Sequence, residues 1–79
     1  MSMTVVSEPN WKPLERLFSR DECAAFMYMG HRGTIEMYKH RDTRRYLNID
    51  ACTGEFYLHR GNKDYMKVSK TAALAYVFG

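Results

Sequence analysis

Basic and aromatic side chains are concentrated in the middle of the chain, between residues 38 and 60. The segment 39–45 holds four Lys and Arg residues, and tyrosines and histidines occur on either side of it. Arginine donates paired hydrogen bonds to phosphate or to the guanine edge, and tyrosine stacks on an unpaired base. The predicted binding residues are Tyr38, His40, Arg41, Arg44, Arg45, Tyr46, Asn48, Tyr57, His59 and Arg60.

Each residue type in this set has its own expected role. The arginines of segment 39–45 neutralise phosphates, because guanidinium groups stay charged at neutral pH. The tyrosines stack on bases or position them, and the amide of Asn48 reads a base edge. We therefore expect a small non-catalytic nucleic-acid-binding domain.

Two other functions would use the same residue types. Tyrosine and arginine are also enriched at the energetic centres of protein interfaces. The alternative is thus a small protein–protein interaction or inhibitor module, which could form a homodimer through the same face. A small ribonuclease would need Glu36, His40 and His59 for acid–base chemistry. The expected register places the two imidazoles about 10 Å apart, a distance that a dinucleotide could span. Because such residue types occur together on many charged sheet faces, we favour a binding domain over an enzyme.

The sequence carries no pattern typical of a metal or cofactor site. Cys23 and Cys52 lie far apart without a CxxC pair, and the three histidines are scattered. No HExxH, Walker or dinucleotide-binding glycine pattern is present. We expect reduced cysteines and neither a metal nor a cofactor.

Charge and hydropathy restrict the partner and the compartment. The net charge is +3, and residues 23–79 carry nine basic and five acidic residues, which favours an anionic partner. The sequence has no run of about 20 apolar residues and no basic, apolar leader. We expect a cytoplasmic protein with no membrane partner.

The first third of the chain predicts helices. Residues 1–10 are polar and are expected to form a flexible arm, ahead of a single domain over residues 11–79. Pro13 favours the first turn of a short helix. Ser19 and Glu22 have the spacing of a capping box, so a second helix is expected from there through the apolar run 23–29, ending at Gly30.

Beyond Gly33 the hydrophobic period changes to two, which predicts three strands within residues 34–59. A turn around Asp42 would pair Tyr38 with Tyr46, which places residues 36, 38 and 40 on the open face. The next turn is either a four-residue loop at 51–54 or a tight Thr53-Gly54 turn, and the pattern does not separate them. Residues 65–68 suggest a short extended segment.

Ser69 is a plausible cap for a last helix over Lys70 to Phe78. The predicted fold is α+β, with two N-terminal helices, a three-stranded antiparallel β-meander and a C-terminal helix. Its helices cover one sheet face in a two-layer sandwich.

Overall fold

A computed structural model describes residues 9–59 and 64–79 of the chain. Its elements are α1 (Lys12–Glu15), α2 (Arg20–Cys23), β1 (Phe26–Arg32), β2 (Ile35–His40), β3 (Tyr46–Asp50), β4 (Phe56–His59), β5 (Tyr65–Val68) and α3 (Lys70–Phe78). The strands form one antiparallel sheet in the order β1-β2-β3-β4-β5. The prediction of a three-stranded meander is therefore wrong, because the sheet has five strands.

The additional strand β1 replaces most of the predicted second helix. The capping box is confirmed: the Ser19 amide donates to Glu22 Oε1 at 2.8 Å, and the Glu22 amide donates to Ser19 Oγ at 3.2 Å. The helix nevertheless ends at Cys23. A helix formed by this run would be apolar on all sides, which fits a buried helix. Aromatic residues such as Phe26 and Tyr28 are equally well suited to a β-strand. Pairing with β2 decides in favour of the strand.

The β2–β3 hairpin differs from its predicted register by one residue. Tyr38 pairs with Leu47 and not with Tyr46. The loop contains four residues, 41–44, and its last residue, Arg44, adopts φ +65°. Since side chains alternate along a strand, a shift of one residue turns β2 over. Glu36, Tyr38 and His40 therefore face the helices, which corrects the prediction that they lie on the open face.

The β3–β4 hairpin has the four-residue loop at 51–54, one of the two predicted alternatives. Its register pairs Asn48 with Tyr57 and Ile49 with Phe56. Gly54 occupies the last loop position at φ +78°. The Asp50 carboxylate accepts hydrogen bonds from the backbone amides of the loop, including that of Cys52 at 2.8 Å. The tight Thr53-Gly54 turn is excluded.

The C-terminal half ends in β5 and α3. The predicted helix over Lys70 to Phe78 is confirmed, and the Ala72 amide donates to Ser69 Oγ at 3.1 Å. Helix α3 and the N-terminal residue Leu14 cover one face of the sheet. The core consists of Leu14, Phe26, Tyr38, Leu47, Ile49, Phe56, Ala73 and Val77.

Residues 1–8 of the predicted arm lie outside the described residues, whereas the backbone carbonyl of Asn10 accepts a hydrogen bond from Tyr38. Among residues 9–59 and 64–79, no helix has the length and apolar character needed to cross a bilayer.

Candidate functional site

The sheet face opposite the core carries a cleft of about 420 Å³. Side chains from all five strands reach it, and α3 adds one tyrosine to its rim. Its lining consists of Met29, Arg32, Met37, Tyr46, Asn48, His59, Tyr65 and Tyr76. Among the described residues, this lining is rich in aromatic and thioether groups, includes one arginine and contains no carboxylate.

The concave shape follows from one row of paired positions across the sheet. Gly30 pairs with Met37, and Met37 pairs with Asn48. Gly30 has no side chain and Asn48 a short one, so this row forms the floor. The register of β1 shifts between Tyr28 and Gly30, and the extra residue at this bulge is Met29, which adds its side chain to the cleft wall.

Hydrogen bonds hold the floor of the cleft in place. The Tyr65 hydroxyl donates to Met37 Sδ at 3.3 Å. Asn48 is 1% exposed, and its Nδ2 donates to the Tyr57 carbonyl oxygen at 3.1 Å. These bonds join β2 to β5 and β3 to β4. The floor is therefore preorganised before any ligand binds.

Each tyrosine of the cleft lies beside a lysine, an arginine or a histidine. Lys39 Nζ is 5.9 Å from the ring centroid of Tyr46, to which Lys39 is paired across β2 and β3. The Arg45 guanidinium carbon is 5.1 Å from the Tyr76 ring. The Tyr65 ring lies beside the His59 imidazole, at 5.1 Å between centroids. These three pairs of side chains surround the cleft.

The arrangement of rings differs between the two faces of the sheet. On the covered face, Trp11, Tyr28 and Tyr38 contact one another at 5.6 to 6.1 Å between centroids. Within the described residues, the cleft tyrosines make no ring contact with each other. Their ring surfaces thus border a shared space large enough for a ligand.

The cations around the cleft are not neutralised by carboxylates of the described residues. The single ion pair found there joins Lys67 Nζ to Glu55 Oε2 at 2.5 Å. The hydrogen bond from Lys67 is the main cause that lowers the pKa of Glu55. Arg32, Lys39 and Arg45 therefore keep their charge available to an anionic ligand.

The basic β2–β3 hairpin is anchored to the body of the protein. The Arg41 guanidinium donates from Nε to the Ala24 carbonyl oxygen at 3.1 Å. Thr43 Oγ1 donates to the carbonyl of Val77 at 2.6 Å, and Arg45 Nη1 donates to that of Tyr76 at 2.9 Å. The last two bonds satisfy carbonyls at the end of α3. The hairpin is thus a fixed rim of the cleft and not a free arm.

The structure brings part of the predicted set together. Tyr46, Asn48 and His59 line the cleft, and Arg45 adjoins it through Tyr76. Arg41 and Arg44 are exposed on the hairpin. Tyr57 lies on the same face outside the lining, with its hydroxyl on Glu55 Oε1 at 3.3 Å. Arg60 lies outside the described residues.

Tyr38 and His40 do not belong to this face. Tyr38 is fully buried and donates to the Asn10 carbonyl oxygen at 2.5 Å, and burial is the main cause that raises its pKa. His40 Nδ1 accepts a hydrogen bond from the Thr43 amide at 3.3 Å, and the imidazole packs edge-on against Phe26. Both side chains stabilise the covered face.

The residues considered for ribonuclease chemistry are divided between the two faces. Glu36 lies on the covered face, where it accepts a hydrogen bond from the Tyr28 hydroxyl at 2.5 Å. Burial, and then this bond, raise the pKa of Tyr28 to about 12. His59 lies on the cleft face. Among the described residues, moreover, no three His, Cys, Asp or Glu side chains are grouped to hold a metal.

Five lining residues were missed: Met29, Arg32, Met37, Tyr65 and Tyr76. The Gly33-Thr34 pair was a usable signal, because a glycine first in a two-residue loop favours a hairpin and would have placed Arg32 on a strand. Gly33 adopts φ +60°, as such a turn requires. The approach of Tyr76 to Arg45 joins residues distant in sequence and left no local signal.

Comparison with known proteins identifies no relative. No protein-family model matches this chain, and no curated protein or solved structure gives a significant match. The cleft and its side chains are therefore the basis for assigning a function.

Proposed function

We propose that this chain is a small, non-catalytic nucleic-acid-binding domain that binds single-stranded RNA or DNA in the cleft. The supporting observation is the set of three tyrosines, beside Lys39, Arg45 and His59, around a cleft whose described lining residues include no carboxylate. Single-strand binding requires ring surfaces for the bases and cations for the phosphates at neighbouring positions. The cleft supplies both.

The shape of the cleft favours a single strand over a duplex. Bases in a duplex are stacked and paired, so their ring faces cannot reach tyrosines at the wall of a concave site. The faces of unpaired bases are accessible, and stacking on one aromatic side chain contributes about 1–3 kcal/mol per base. The exposed arginines of the anchored hairpin extend the cationic rim for adjoining phosphates.

Fluorescence anisotropy with labelled single-stranded RNA, single-stranded DNA and duplex DNA tests this proposal at two salt concentrations. We expect binding of the single strands that weakens as salt rises, and weaker binding of the duplex. Tyr76→Leu should lower the affinity about 5- to 150-fold, the equivalent of one lost stacking contact. Because Tyr76 is 43% exposed, this substitution leaves the core intact.

Tyr57→Leu is the matched control. Tyr57 has the same ring and lies on the same face but outside the cleft lining, so its replacement should change the affinity little. Equal losses from the two substitutions would contradict the assignment of binding to the cleft. Absence of single-strand binding at low salt would refute the proposal and favour a protein partner on this face.

A further inference from the structure

The size of the cleft limits what it can hold. Its volume of about 420 Å³ lies near the lower end of the range of about 300–1,000 Å³ found for small-molecule sites. Tyr46, Tyr65 and Tyr76 project from three different elements around this one volume. They therefore enclose a single ligand group, whereas a row of stacked bases would need an extended groove.

The floor of the cleft suits a flat heterocycle. The thioether of Met37 is polarisable and packs well against an aromatic ring. Asn48 Nδ2 is occupied by the Tyr57 carbonyl, which leaves Oδ1 as the acceptor of this amide. Asn48 lines the cleft but is 1% exposed, so a ring seated on the floor would pack over this amide.

Arg32 provides an anion-binding group at one end of the same cleft. It is exposed and lies at the end of β1, one strand from Met37 and two from Asn48. Because Arg32 pairs with Ile35, two residues along β2 from Met37, these backbone separations are about 8–12 Å at the ordinary spacing of strands and residues. The Arg32 side chain, which lines the cleft, covers part of this distance and a ribose the rest. The planar guanidinium donates paired hydrogen bonds to phosphate oxygens.

We infer, as an extension of the proposed function, that the cleft holds one unstacked nucleobase while Arg32 binds the attached phosphate. The site therefore takes free nucleoside monophosphates as well as a nucleotide within a single strand. The base contributes through the floor and the tyrosine rings, and the phosphate contributes through Arg32. The two contributions are separable by experiment.

Methionine methyl groups offer direct probes of this site. In protein labelled with ¹³C at the methionine methyls, a base stacked in the cleft should shift the Met29 and Met37 signals by its ring current. The Met66 signal serves as the internal control, because this residue is on the other sheet face and does not line the cleft. We expect saturable shifts with AMP, CMP, GMP or UMP, and none with ribose 5-phosphate.

A matched pair of ligands tests the role of Arg32. Arg32→Gln should weaken AMP binding about tenfold, the equivalent of one charge-assisted hydrogen bond. The same substitution should leave adenosine binding unchanged. Equal weakening for AMP and adenosine would overturn the assignment of the phosphate to Arg32. Equal shifts with ribose 5-phosphate and AMP would show an anion site without base recognition and would also overturn the inference.

Competition separates the failure of this inference from the failure of the proposed function. Millimolar AMP should displace a labelled single strand from the protein. If the single strand binds but the four nucleoside monophosphates neither compete nor shift Met29 and Met37, the inference is wrong and the proposed function stands. If the single strand does not bind either, both are wrong.

Discussion

The backbone of Arg44 provides a test of how the β2–β3 hairpin is built. Arg44 is the one non-glycine residue with positive φ in residues 9–59 and 64–79, at +65°. The left-handed conformation costs a residue with a Cβ about 1–2 kcal/mol. Arg44→Gly removes this cost but increases the freedom of the unfolded chain by about 0.4–1 kcal/mol. We expect a net stabilisation of about 0.5–1 kcal/mol, which raises the Tm by about 2–8 °C for a domain of this size.

Thermal unfolding followed by circular dichroism measures this effect, and two substitutions control it. Arg44→Ala removes the same side chain but keeps a Cβ in the left-handed region, so its Tm should stay near that of the parent. Gly54 occupies the equivalent loop position in the second hairpin at φ +78°, with open space around an added Cβ. Gly54→Ala should therefore destabilise the domain by about 1 kcal/mol through the backbone alone. A Tm for Arg44→Gly at or below that of Arg44→Ala would refute the reasoning.

Two further predictions concern the carboxylates. Tyr28→Phe removes the hydroxyl donor from the buried Glu36 and should lower the free energy of unfolding in urea by about 1–3 kcal/mol. Tyr57→Phe, which removes a hydroxyl from the more exposed Glu55, should have a smaller effect, and equal losses would contradict this reason. The backbone amide of Cys52 is the main cause that lowers the pKa of Asp50 below its usual 3.8. The Asp50 carboxylate therefore stabilises the fold fully above that value, and this stabilisation is lost as the pH falls through the lowered pKa. In Asp50→Asn, the Tm should fall less steeply as the solution is acidified.

Local signals predicted part of this fold correctly. The caps at Ser19 and Ser69 depend on contacts three residues apart, so the starts of α2 and α3 followed directly from the sequence. The four-residue loop of the second hairpin was also among the predicted alternatives, and Gly54 supplies its left-handed position. In each case the residue that determines the structure lies within or directly beside the element it determines.

Non-local pairing decided the elements that were predicted incorrectly. The run 26–32 is apolar enough for a buried helix, and its strand conformation depends on β2 as a partner. The first hairpin hides its loop length, because Arg44 stands where glycine would normally signal a left-handed residue. The alternation predicted a three-residue loop that pairs Tyr38 with Tyr46, whereas the loop of the structure has four residues. The two loop lengths differ in which face of β2 meets the core.

Whether a predicted binding residue lies in the cleft depends on the register of the hairpin that carries it. Tyr46 and Asn48 lie on β3, whose pairing with β4 follows one of the two predicted alternatives, and both line the cleft. Tyr38 lies on β2, and the shift of one residue moved it into the core. The same shift places Met37, which alternates with residues 36 and 38, on the cleft floor opposite Gly30. The observed register of β2 therefore explains two features of the open face. Tyr38 is absent from it, and Met37 lies in the low central row that makes it concave.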